Sequence, residues 1–171
     1  PIYIALDSAD AWAHPEMLLI DRDGRPSAVA GVPPDYFSED GQLWGNPLYD
    51  WAYHERTDFR WWVERVRHAA CQTDLVRIDH FRGFEAFWSV PYGELTAKRG
   101  EWIPGPGDAL FVALEQALGR LPIVAEDLGV ITPAVDALRE NHGIPGMVVL
   151  QFEVGDPDFD LESIAENSVC Y

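Results

Sequence analysis

Positive charge is scarce in this chain: 12 Lys+Arg stand against 29 Asp+Glu, giving a formal net charge of −17. A surface this acidic argues against nucleic acid and anionic membranes as partners. It suits a neutral ligand such as a sugar, and it equally serves plain solubility. Cysteine is scarcer still. Cys71 and Cys170 are the only two, far apart and without metal-ligand spacing, so a reduced cytoplasm is the simplest expected compartment. The five histidines, His14, His54, His68, His80 and His142, form no H-x-H or H-x-x-x-H pair, and no metal or other cofactor is expected. The Asp-x-Asp at 21–23 lacks the later bidentate Glu of a calcium loop. No apolar run approaches the ~20 residues of a membrane span. Signal peptide, N-x-S/T sequon, Walker A segment, G-x-G-x-x-G and nucleophile elbow are all missing from the 171 residues.

What is present is a rhythm of short apolar strands and amphipathic helices. Strands are expected at Ile2–Leu6, 75–79, Ile123–Ala125, Met147–Phe152 and 168–171. Helices are expected over 59–72 with Asp58 as cap, from an Asp108 cap to Gly119, from Thr132 and Pro133 to about Glu140, and weakly over 160–166. Phe84 to Pro91 is ambiguous, and 92–107 ends in a Gly-Pro-Gly break. Alternation of this kind means a parallel sheet with crossover helices, as a barrel or an open sheet. Residues 7–57 read as one long loop, rich in Gly, Pro and Asp but also in Trp and Tyr. Disorder is therefore not expected there. The chain starts at Pro1 and ends at Tyr171, each inside a strand-like run, so it reads as an interior piece of a longer protein. No linker divides it into two domains.

Two strand ends carry the candidate chemistry. Leu75-Val-Arg-Ile-Asp79-His and Pro122-Ile-Val-Ala-Glu126-Asp127-Leu-Gly129 each end in acids, where a parallel strand delivers functional side chains. Arg77 and Asp79 lie two apart and so share a strand face. A guanidinium keeps a neighbouring carboxylate ionised, as a carboxylate nucleophile requires, although the same pair also reads as a structural ion pair. Glu126 and Asp127 point to opposite faces, so only one can meet Asp79. An acid at the edge of an apolar wall could hold a proton near neutral pH. Pattern alone does not choose between the two. His80 could donate to a sugar hydroxyl or be merely structural. The 7 Trp and 12% aromatic content exceed what a core needs. Trp44 sits on the long loop, where an indole can stack on a sugar ring or pack the loop down, and Gln42 could bind hydroxyls.

At these residues the chain resembles a known family. Asp7-Ser-Ala-Asp-Ala-Trp-Ala-His-Pro15, Ala30-Gly-Val-Pro-Pro-Asp-Tyr-Phe37, Gly41-Gln-Leu-Trp-Gly-Asn-Pro-Leu-Tyr49, Arg77-Ile-Asp-His-Phe-Arg-Gly-Phe84 and Ala125-Glu-Asp-Leu-Gly-Val-Ile-Thr-Pro133 are similar, in order, to glycoside hydrolase family 77. These are the 4-α-glucanotransferases, or amylomaltases. The resemblance implies an incomplete (β/α)8 TIM barrel of the α-amylase clan, about strands three to seven. Residues 1–171 would be part of one catalytic domain, and 7–57 a substrate-covering loop insertion. Five strands of eight leave open edges, so an isolated 171-residue product is expected to be poorly stable.

The resemblance also implies roles. Asp79 would be the nucleophile and Glu126 the general acid/base of a retaining transfer, their carboxylates about 5–5.5 Å apart. Arg77 would flank the nucleophile, and His80 and Asp127 would hold the donor sugar. Gln42 and Trp44 would lie on the loop over the cleft, and Phe152 would line it. Substrates would be maltooligosaccharides and other α-1,4-glucans. The clan's third carboxylate, in a Thr-His-Asp-Asn segment, would fall just beyond Tyr171. An α-glucan hydrolase on the same scaffold and a non-catalytic glucan-binding fragment are the alternatives.

Overall fold

The computed structural model describes residues 3–36, 38–153, 160, 162, 164 and 166–170, the side chains of 152 and 153 excepted. Among the described residues there are three sheets. Two are parallel strand pairs, which form the layer that carries the strand ends of interest. The third is an antiparallel sheet built from the segments between.

The parallel layer pairs β3 (Val76–Ile78) with β6 (Ile123–Ala125), and β7 (Gly146–Val148) with β8 (Ser168–Cys170). The Ala125 N–H donates to the Pro145 carbonyl at 2.8 Å and sets the two pairs side by side. Helices cover one face, as crossover connections require. Helix α3 (Arg60–Ala70) buries Trp62, Val63 and Val66, and α4 (Asp108–Leu118) buries Leu110, Phe111 and Leu114. Helix α5 (Pro133–Asn141) turns Val135 and Leu138 inward, the i, i+3 spacing of an apolar stripe. These side chains meet Ile78, Ile123 and Ala125 in one hydrophobic core.

Several expected boundaries hold and others move. Strand Ile123–Ala125 forms as read, and α4 ends at Gly119, whose φ of +74° suits glycine. Asp58 does not cap α3. Asp58 and Phe59 both take φ of +52°, and Phe59 occupies the cap position with no side-chain bond. Gly107 precedes α4, and Asp108 lies in its first turn. Residues 3–6 form no strand; Ile4 instead offers its carbonyl to the Asn46 side chain at 3.2 Å. The expected strand over 147–152 ends at Val148, and α6 (Leu150–Glu153) follows. Residues 2 and 171, and much of the expected helix 160–166, lie outside the described residues.

The long segment 7–57 is not all loop. It contains α1 (Ala9–Ala13), which Ser8 caps through the Ala11 N–H, and α2 (Trp51–Arg56), which Asp50 caps through the Tyr53 N–H. It also contains β1 (Ala28–Val32) and β2 (Gln42–Pro47). With β4 (Ala86–Pro91) and β5 (Glu101–Pro104), these form an antiparallel sheet in the order β2-β1-β4-β5. The segments that sequence left as loop or ambiguous thus form one accessory sheet. Tyr49, Trp51, Trp62 and Phe84 pack ring to ring where this part meets the helices, at centroid distances of 5.1–6.2 Å.

Candidate active site

Strands β3 and β6 run in parallel with Val76 opposite Ile123, Arg77 opposite Val124 and Ile78 opposite Ala125. Asp79 and Glu126 are the next residues on each chain. The ladder continues past the strands: the Glu126 N–H donates to the Ile78 carbonyl at 2.8 Å, and the Phe81 N–H to the Glu126 carbonyl at 3.1 Å. Both acids therefore leave the same end of the sheet at matched positions.

Arg77 and Asp79 share a face, as their spacing predicts. The Arg77 Nη1 lies 2.6 Å from the Asp79 Oδ1, a charge-assisted contact between two exposed side chains. The backbone then bends sharply. His80 sits in the left-handed region at φ +51°, ψ +49°, uncommon for a residue with a Cβ. That bend turns the His80 N–H toward Glu126, whose Oε2 accepts it at 2.8 Å. Glu126 Oε1 accepts the Leu128 N–H at 3.0 Å. The carboxylate is thus held between the ends of both strands.

His80 and the residues of β2 complete the group. The imidazole meets the edge of Trp44, with centroids 4.8 Å apart and ring planes at 80°. Burial pushes the His80 imidazole down to about 3, with Arg82 acting in the same direction, so the ring is neutral near pH 7. Its Nε2 is shielded and has no hydrogen-bond partner among the described residues. Trp44 and Gln42 lie two apart on β2, not on a loop, and the indole N–H donates to Gln42 Oε1 at 3.2 Å. Trp44 keeps 38% of its surface exposed, so part of the indole remains open to a ligand.

Two expected residues stand apart. Asp127, just past the end of β6, turns to partners other than those of Glu126. Its Oδ1 accepts the Met147 N–H at 2.8 Å, and its Oδ2 lies 3.2 Å from Arg139 Nε. Oδ1 is thus held by a backbone hydrogen bond, and Oδ2 is ion-paired to Arg139 without hydrogen-bond geometry. Phe152 belongs to the backbone of α6, and its side chain lies outside the described residues.

Sequence reasoning passed over Arg82 and Arg139. Arg82 donates to the Val130 carbonyl at 2.6 Å and lies 4.0 Å above the ring of Trp102, tying the turn after Asp79 to the loop after Glu126 and to β5. Arg139 carried a usable signal, because it falls on the inward stripe of α5 beside Val135 and Leu138. A charge there demands a partner. Among the described residues, no cluster of His, Cys, Asp and Glu has the geometry to hold a metal ion.

A family model described as 4-alpha-glucanotransferase, glycoside hydrolase family 77, matches residues 1–171. The chain belongs to this family. It is 56% identical over 156 residues to the 4-alpha-glucanotransferase of Thermus thermophilus, an alignment covering 91% of this chain and 31% of the relative. The Synechocystis 4-alpha-glucanotransferase is 54% identical over 177 aligned positions, covering 100% of this chain and 35% of that protein. Among solved structures, the amylomaltase from Streptococcus agalactiae in complex with acarbose superposes with a TM-score of 0.93 at 43% identity, over 100% of this chain and 35% of that one. The chain thus spans about a third of the length of the curated relatives it matches. The structure is an α/β portion of the amylomaltase fold.

Proposed function

We propose that the protein containing this segment transfers α-1,4-glucan chains by a retaining double displacement, with Asp79 as nucleophile and Glu126 as general acid/base. The observation that carries this reading is the register of β3 against β6, with one acid at each strand end. Membership of the 4-alpha-glucanotransferase family supports the activity. The neighbour in complex with acarbose supports glucans as the substrate class.

In the first step an Asp79 oxygen forms a bond to the anomeric carbon. The glycosidic C–O bond breaks toward the leaving oxygen, which takes the Glu126 proton. In the second, Glu126 takes the proton of an acceptor 4-hydroxyl, whose oxygen displaces Asp79. Two inversions restore the α configuration. Arg77 pairs with the Asp79 carboxylate and helps to hold it in place. His80 would stand beside the donor sugar, as the family resemblance implies. Trp44 offers its indole for stacking, with Gln42 beside it. Phe152 is kept as a cleft-lining aromatic on the resemblance alone.

On this reading the segment carries about strands three to seven of the barrel. The third carboxylate would, as the family resemblance implies, come from sequence following Tyr171. Residues 7–57, with 86–104, form a covering region over the cleft. Both cysteines are free and exposed, which suits a reducing compartment such as the cytoplasm. No described helix is long and apolar enough to cross a membrane.

The full-length protein, incubated with maltotriose, should yield glucose together with maltodextrins longer than the donor. Shortened products alone, with no chain longer than the donor, would rule out transfer.

A further inference from the structure

We infer that Asp127 and Arg139 are positioning residues for Glu126, acting through the backbone; this rests on the reading of Glu126 as the general acid. Three observations carry it.

The first is convergence. Asp127 Oδ1 accepts the Met147 N–H at 2.8 Å from β7, and its Oδ2 pairs with Arg139 Nε at 3.2 Å from α5. Arg139 Nη1 donates onward to the Ile144 carbonyl at 3.1 Å and reaches the Asn167 carbonyl at 3.5 Å, at the start of β8. Asn167 in turn donates its side-chain N–H to the Ile144 carbonyl at 3.2 Å. One carboxylate thus joins the chain after β6 to β7, α5 and the entry to β8.

The second is burial. The Asp127 and Arg139 side chains are only 13% and 10% exposed. A buried ion pair is retained at a desolvation cost, and one partner without the other is strongly unfavourable. Arg139 also lies within 4 Å of the Asp136 and Glu140 carboxylates, both on its own helix and far more open to water. Of its three carboxylate neighbours, Asp127 is the one that is buried with it.

The third is the space left for it. A Cβ on Gly146 would lie 2.2 Å from Asp127 Oδ2, so any side chain at 146 would make the carboxylate leave this position.

The consequence for chemistry is geometric. Successive residues of an extended chain project to opposite sides, so fixing the Asp127 side chain fixes the direction in which Glu126 leaves the backbone. A displacement of about 1 Å at a reacting group can cost about 100-fold in rate. On this inference Asp127 acts through Glu126, whereas the family resemblance implies a contact with the donor sugar.

A donor that leaves without a proton separates these roles. In α-maltotriosyl fluoride the C–F bond breaks with its electron pair on fluoride while Asp79 bonds to the anomeric carbon, so no acid is needed. Asp127→Asn and Arg139→Lys, made in the full-length protein, are compared with the parent and with Glu126→Gln. The measurements are kcat and KM on maltotriose and the first-turnover release of fluoride. Arg139→Lys keeps the charge, and a third variant, Gly146→Ala, crowds the carboxylate without changing either partner; thermal midpoints within a few degrees of the parent's show which variants fold. We expect kcat on maltotriose to fall about 10- to 100-fold with KM nearly unchanged, and fluoride release to stay close to the parent's. An equal loss on both donors with raised KM makes Asp127 a sugar ligand and overturns the inference; so does unchanged kcat in all three variants. If Glu126→Gln itself loses both donors equally, Glu126 is not the acid, and the functional reading fails along with the inference.

Discussion

The carboxylate of Glu126 accepts the backbone N–H of His80 at 2.8 Å, so the acid at the end of β6 is fastened to the residue that follows Asp79. The contact depends on the left-handed bend at His80. It makes the two strand ends one unit, and the predictions below probe that unit and the structure supporting it.

Trp44 is half-open, edge-on to His80 and hydrogen-bonded to Gln42. If it helps to dry the cleft, its removal admits water to the glycosyl intermediate. Trp44→Ala should raise the ratio of hydrolysis to transfer about five-fold, the effect of ~1 kcal/mol of lost discrimination. Reducing ends and total glucan transferred, assayed together on maltotriose, give that ratio.

His54 is fully buried in the ring cluster. Burial pushes its imidazole down to about 4, against a smaller opposing pull from the Met17 backbone and Asp50. The unfolded chain takes up the proton near pH 6.5 and the folded one only near 4. Stability from this group is therefore complete above pH 6.5 and falls as pH drops from 6.5 to 4. The loss should reach at most about 3 kcal/mol. Urea midpoints of the full-length protein at pH 7 and pH 4.5 measure it, and His54→Leu should flatten the difference. An equal pH dependence in the variant would remove His54 as the cause.

Gly105 meets the chain before β4 too closely for any side chain. A Cβ there would lie 2.2 Å from the Phe84 carbonyl oxygen, and the Gly105 N–H donates to the Glu85 carbonyl at 2.7 Å. Gly105→Ala should destabilise the protein by about 1–3 kcal/mol, read as a lower thermal midpoint.

The parts of this fold that are legible in sequence are those whose local pattern and tertiary role agree. Ile123-Val-Ala125 is a short apolar run buried on both faces, and α4 has an inward stripe closed by a glycine. The accessory sheet was illegible because its pairing is long-range. Most of β2 is exposed and carries Gly45 and Asn46, so it reads as loop until β1 pairs with it. β4 finds its partner in β1, nearly sixty residues earlier in the chain. Met147 to Phe152 is a continuous apolar-rich run, which cannot by itself separate a strand from the start of a helix. At the site, spacing correctly put Arg77 beside Asp79 and separated Glu126 from Asp127. It could not show that the Asp127 carboxylate would turn to Arg139 and Met147, because that contact needs α5 and β7 in place.

The central claim is that Asp79 forms the covalent bond to sugar. The direct measurement is mass spectrometry of peptides from full-length Glu126→Gln protein mixed briefly with α-maltotriosyl fluoride, since the first step proceeds without the acid while the second lacks its base. The account predicts a maltotriosyl adduct on the peptide carrying Asp79, absent when Asp79→Asn is added. An adduct on another carboxylate, or fluoride release without any adduct, would contradict it.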